Sequence, residues 1–120
     1  MQTLQIKLAE AEGILRAARA YFYQNVKKSW ERARLGERIT MDTRISLQMA
    51  ATCAIEACVN SVGLVQNIAG LTGMRESHPM ERHFRDINTI RQHAFISSAR
   101  YQSVGQIMLG LEPNWGFFYF

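Results

Sequence analysis

The chain has 120 residues, 48% of them hydrophobic, with two prolines and eight glycines, a composition that fits one domain with a continuous core and excludes collagen-like and disordered classes. Its net charge of +4 comes from 14 Lys and Arg against 10 Asp and Glu scattered along the chain, and a nucleic-acid interface needs clustering, so no nucleic-acid partner is expected. No apolar run is read as reaching the roughly 20 residues of a membrane span, and the N-terminus lacks the basic-then-apolar order of a signal peptide, so a cytoplasmic protein without membrane contact is expected.

The first predicted element runs from Gln2 to about Arg34. Leu4, Leu8, Ala11, Leu15, Ala18, Phe22, Val26 and Trp30 recur every three or four residues and form one apolar stripe. Glu12 and Arg16 stand four apart in the order that supports a helix. Gly36 is the expected stop, and Thr40 or Asp42 the expected cap of a second helix reaching about Ala69.

Inward positions of that second helix, Leu47, Ala50, Ala54, Ala57, Ser61, Leu64 and Ile68, are small in the middle, which admits a close neighbour. Phe22 and Trp30 of the first helix are expected to pack over this groove. Cys53 and Cys58, five apart, turn away from each other on a helix and read as small apolar residues rather than a disulfide or metal pair.

Gly70 and Gly73 are expected to close the second helix through positive φ, with Ser77, His78 and Pro79 opening the third. The third is predicted over about Pro79 to Ser97, with Met80, Phe84, Ile87, Ile90 and Ala94 on one side. A fourth, about Ala99 to Leu109, carries Val104, Ile107, Met108 and Leu111 and stops at Gly110 and Pro113. The aromatic tail from Trp115 to Phe120 needs cover, either from its own bundle or from a second chain. Together these elements predict an all-α fold, an antiparallel up-down four-helix bundle forming a single domain over residues 1–120.

By spacing alone no catalytic constellation stands out. His83, Asp86 and His93 share one side of the predicted third helix, but the spacing is unlike that of a helical zinc pair and no metal is expected. Asp86, one turn from Arg82, is expected to pair with it.

The segments His78-Pro-Met-Glu-Arg-His-Phe-Arg-Asp86, Ile90-Arg-Gln-His93 and Gly105-Gln-Ile-Met-Leu-Gly110 resemble the C-terminal helical domain of acyl-CoA-dehydrogenase-like flavin monooxygenases. The Pro-x-x-Arg-x-x-Arg-Asp core is shared with true acyl-CoA dehydrogenases. Gln66-Asn-Ile-Ala-Gly70 with Gly73 looks like the family's Gln-x-x-Gly-Gly-x-Gly turn, and Gln2 with Lys7-Leu-Ala9 and Arg19 looks like its first long helix.

The resemblance implies a flavin cofactor, FAD or FMN, contacted at its nucleotide end by Gln66, Gly70 and Gln2, in a homo-oligomer of two or four chains that works with a flavin reductase. True dehydrogenases carry a glutamate base after the Arg-Asp segment. Here the stretch reads Arg91-Gln-His-Ala-Phe95, which disfavours thioester dehydrogenation and implies the monooxygenase branch, with His93 as the catalytic residue. An imidazole suits that role because it donates a hydrogen bond while titrating near neutrality.

The resemblance also implies N-terminal and middle domains that this chain lacks, so it is expected not to turn over substrate alone. Two other readings compete: an inactive helical oligomerisation module derived from the fold, and a basic nucleic-acid binder resting only on the pI.

Overall fold

The computed structural model describes residues 2–71 and 79–119 and consists of four α-helices: α1 (Gln2–Arg34), α2 (Met41–Leu71), α3 (Pro79–Ile90) and α4 (Ala99–Met108). A single turn of 3-10 helix, Gly116–Tyr119, ends the chain. The expectations placed on Gly73, Ser77 and His78 lie outside the described residues.

α1 and α2 form a long antiparallel hairpin. Its register is set by two polar links: Arg32 Nη1 donates to Thr43 Oγ1 at 2.9 Å near the turn, and Ser61 Oγ donates to the Ala11 carbonyl at 2.9 Å midway along. Ala11 and Ala18 of α1 and Ala50, Thr52, Ala57 and Ser61 of α2 are buried, so the small-residue groove is where the two helices meet. Thirty-three residues at about 1.5 Å each give α1 a length near 50 Å, and this sets the 52 Å long axis of the molecule.

The turn between the two helices follows from its glycine. Gly36 has φ 74°, which lets its amide reach the Ala33 carbonyl and that of Glu37 the Arg32 carbonyl, both at 3.0 Å. Thr40 then caps α2 by accepting the Thr43 amide at 3.2 Å. Gly110, φ 76°, ends α4 in the same way, with the Leu111 amide on the Gln106 carbonyl at 2.8 Å.

α2 is the hub. It lies against α1, α3, α4 and the terminal 3-10 turn, and among the described residues no other pair of elements makes close backbone contact. A helix packed from several sides is apolar all round, and by length and composition Met41–Gly70 would qualify as a membrane span. That corrects the sequence reading, which found no such run. Its buried Gln48, Thr52 and Ser61, two of them tied to other elements, mark it as the centre of a helical assembly.

Other expectations are also corrected. Trp30 is 67% exposed rather than packed over the groove. α2 continues through Gly70 to Leu71, and Gly70 keeps helical rather than positive φ. Arg82 and Asp86 are both exposed and unpaired, because water competes with a surface ion pair. The ion pairs formed among the described residues are Arg16–Glu12, as expected, and Arg34–Glu31, each at 2.8 Å.

α3 stops at Ile90, seven residues short of the predicted end. Asn88 Nδ2 and Thr89 Oγ1 donate back to the Phe84 and Arg85 carbonyls at 2.8 and 2.9 Å, a local bonding that competes with helix continuation. The backbone then tightens, with the Gln92 and His93 amides on the carbonyls three residues back. Ala94, expected on the inward side of a helix, lies in the turn that follows and is exposed.

Candidate functional site around His93

The turn from Arg91 to Ser98 carries the main candidate. His93 Nδ1 accepts the Phe95 amide at 3.2 Å, so in the neutral imidazole the proton sits on Nε2, which is left as an outward donor on an exposed side chain. The ring stacks on Phe95, 5.7 Å between centroids at 26°. Phe95 meets Trp115 edge to face at 5.1 Å, and the Arg100 guanidinium lies 3.9 Å from the Trp115 ring centre.

This aromatic series is how the tail is covered: it folds onto its own chain. Phe118 is buried, and Arg44 Nη1 donates to the Phe117 carbonyl at 2.7 Å while its guanidinium lies over the Phe117 ring. Ser103 Oγ holds Asn114 Oδ1 at 2.7 Å, and Gln106 Oε1 accepts the Asn114 amide. Arg100 Nε and Nη1 and Trp115 Nε1 are buried without a hydrogen-bond partner. For the guanidinium, the ring face supplies the attraction instead.

Beside His93 lies an apolar cleft of about 270 Å³ lined by Phe22, Leu47, Gln48, Ala51, Phe95, Ile96 and Phe117. Phe95 both lines the cleft and stacks on His93. The cleft joins α1, α2, the His93 turn and the tail, and no sequence spacing could have gathered residues so far apart.

The other candidates lie at the opposite end of the hairpin. Gln2 opens α1 and is exposed, Gln66 is half-buried in α2, and Gly70 is exposed in its last turn with no atom within 4 Å of where a Cβ would stand. The antiparallel register brings Gln2 level with Gly70. Eighteen residues of α2 separate Gln66 from Gln48, which touches the His93 turn, a span of about 27 Å along the helix.

His83 and Asp86 stay on α3 whereas His93 has left it, and among the described residues no three His, Cys, Asp or Glu side chains come together as a metal site. Cys53 and Cys58 are free thiols, half-buried, and burial pushes that of Cys58 up. Tyr101, against α2, is a residue that sequence reasoning missed. Burial raises its phenol, and Cys53, Glu56 and Tyr21 nearby raise it further.

Residues 1–98 match the family model described as the acyl-CoA dehydrogenase C-terminal domain. The chain is 31% identical to an indole-3-acetate monooxygenase of Pseudomonas putida and 30% identical to one of Acinetobacter baumannii, in each case over 94% of this chain and 29% of the relative. It is 28% identical over 117 residues to the oxygenase component of an FADH(2)-dependent resorcinol hydroxylase from a Rhizobium species, covering 93% of this chain and 29% of that protein. The chain thus spans under a third of the length of these relatives. No solved structure was found to match it.

Proposed function

The chain belongs to the acyl-CoA dehydrogenase C-terminal domain family, and from that premise we propose that it is the C-terminal domain of a flavin-dependent monooxygenase acting on an aromatic substrate. The observation that carries this reading is His93, an exposed imidazole with Nδ1 engaged and Nε2 left as the donor, stacked on Phe95, which lines an aromatic cleft. The segment offers no carboxylate there to remove a proton from a thioester. Two relatives named as monooxygenases and one named as a hydroxylase support the branch.

When bound, the flavin supplies the activation of oxygen. This chain's part is to hold an imidazole donor at the reacting oxygen and to exclude water with Phe95, Phe117 and Phe22. The cleft is mostly apolar and lined by three phenylalanines, which suits an aromatic ring.

Gln66, Gly70 and Gln2 contact the nucleotide end of the cofactor, FAD or FMN. Gln66 stands about 27 Å along α2 from Gln48, which touches the His93 turn; the nucleotide contacts and His93 thus lie at opposite ends of the hairpin and, in an oligomer, serve different flavins.

Self-association is supported by α1, which leaves Leu8 at 55%, Leu15 at 40% and Trp30 at 67% exposure. The enzyme is cytoplasmic and is fed by a flavin reductase. In the chain supplied with the family's other two domains, His93→Ala lowers hydroxylation about 10²- to 10⁴-fold with flavin affinity unchanged. Unchanged hydroxylation would refute the assignment.

The exposed apolar residues of α1 equally favour a second reading, an oligomerisation module without chemistry. Mixing the chain and the family's other two domains with reduced flavin separates the two: a bound yellow species on reoxidation supports the enzyme, and its absence supports the module.

A further inference from the structure

We propose that Gln48, on α2, is the positioning residue that fixes which nitrogen of His93 carries its proton. Gln48 is 5% exposed and stands 45 positions before His93 in the chain. Its Nε2 donates to the Phe95 carbonyl at 2.8 Å and to Thr52 Oγ1, itself fully buried, at 3.2 Å. The same residue is held at its other polar group, in the preceding peptide unit, because the Phe95 amide donates to His93 Nδ1.

One residue in the turn is therefore clamped at both polar groups, the carbonyl by α2 and the amide by the imidazole. Within the turn the Ile96 and Ser97 amides donate to the His93 carbonyl at 3.1 and 2.9 Å, and among the described residues no backbone group pairs with the Phe95 amide or carbonyl. With Phe95 clamped, Nδ1 is an acceptor and Nε2–H is the group presented outward. Without the bond from Gln48, Phe95 keeps only the local backbone bonds of the turn, its amide is held less firmly on Nδ1, and the ring exchanges tautomers more readily.

Thr52 locks the amide of Gln48 in place: it lies one helical turn further along α2 and accepts a hydrogen bond from the same Nε2. Gln48 also walls the apolar cleft, so the cleft and the histidine are held by one side chain. This inference rests on His93 as the catalytic residue only for its consequence in turnover; the clamp itself is a property of the 120-residue chain.

The test is long-range 1H–15N NMR of the imidazoles in the full 120-residue chain at a pH where they are neutral, with exposed His83 of α3 as the internal reference. In the parent chain His93 shows Nε2 protonated and Nδ1 as acceptor, with less of the other tautomer than His83. Gln48→Met keeps the shape and removes the donor. It brings the His93 tautomer ratio to that of His83, and the Phe95 amide exchanges about tenfold faster, the factor equivalent to about 1.4 kcal/mol.

Thr52→Val, which keeps the Gln48 donor and loosens only its lock, gives a smaller shift in the same direction and serves if Gln48→Met does not fold. A His93 tautomer ratio and Phe95 exchange rate unchanged in the folded variants overturn the proposal. Full hydroxylation by His93→Ala in the reconstituted enzyme would instead overturn the catalytic reading and leave the clamp standing.

Discussion

The α1–α2 hairpin and the segment from α3 to the tail are held together by different means. The hairpin is a repeat of one contact: small residues such as Ala11, Ala18, Ala50 and Ala57 face each other, with a glycine and a threonine closing the turn. The second half has short helices and is fastened by individual long-range attachments: Gln48 to Phe95, Arg44 to Phe117, and Arg100 to Trp115. A repeated interface spreads its energy over many residues, whereas single attachments concentrate it and place particular side chains. The candidate catalytic residue lies in the second kind of structure.

The sharpest challenge to that contrast is removal of one attachment. Trp115→Ala takes away the ring that both Phe95 and Arg100 use, and we expect a loss of about 3 kcal/mol in chemical denaturation, with loosening confined to the tail and the His93 turn. If the hairpin loosened equally, the two halves would not be distinct.

In the hairpin, Ala50→Leu overpacks a site that is 1% exposed, and about 2 kcal/mol of destabilisation is expected. Here the effect should spread along both long helices, visible as slower recovery of helical circular dichroism and a lower thermal midpoint.

Arg44→Met removes a hydrogen bond from a charged donor to the Phe117 carbonyl while keeping the apolar stem. An expected cost of about 1 kcal/mol, read from denaturant midpoints, would show that the tail depends on its side attachments and not on the 3-10 turn alone.

The smallest effect concerns pH. Tyr101 and Cys58 both have raised proton affinity in the folded chain, so each adds stability that is complete below its unfolded pKa and disappears as pH rises through the folded value. Stability should therefore fall in the alkaline range above roughly pH 9 to 10. Tyr101→Phe should flatten that decline in thermal melts at successive pH values, and an unchanged profile would remove Tyr101 from the account.

The same contrast explains what could be read from the sequence. Regular contacts leave a periodic trace, so the Gln2–Arg34 helix, the Gly36 stop and the Thr40 cap were legible. Single attachments leave none: nothing in the spacing of Gln48 and Phe95 signals that they touch. The end of α3 was misread for a related reason, since Ile90 and Ala94 continue the apolar rhythm while Asn88 and Thr89 turn their hydrogen bonds back on the helix. His93 was legible only as part of a motif, and its hydrogen-bonded turn was not. The exposed Trp30 has no such explanation within one chain and is accounted for by the proposed self-association.

That α2 alone joins the rest has a consequence for how the molecule opens. α1 meets the C-terminal half through side chains alone, with Phe22 at the cleft and Tyr21 near Tyr101, so either can detach from α2 in a fluctuation while most of the other's interface stays closed. Local opening then occurs in two units of different free energy. The C-terminal unit, with fewer contacts and shorter helices, opens first and exchanges its amides sooner. The His93 turn thus belongs to the part of the molecule that moves at least cost, while the long hairpin stays closed as the frame against which it returns.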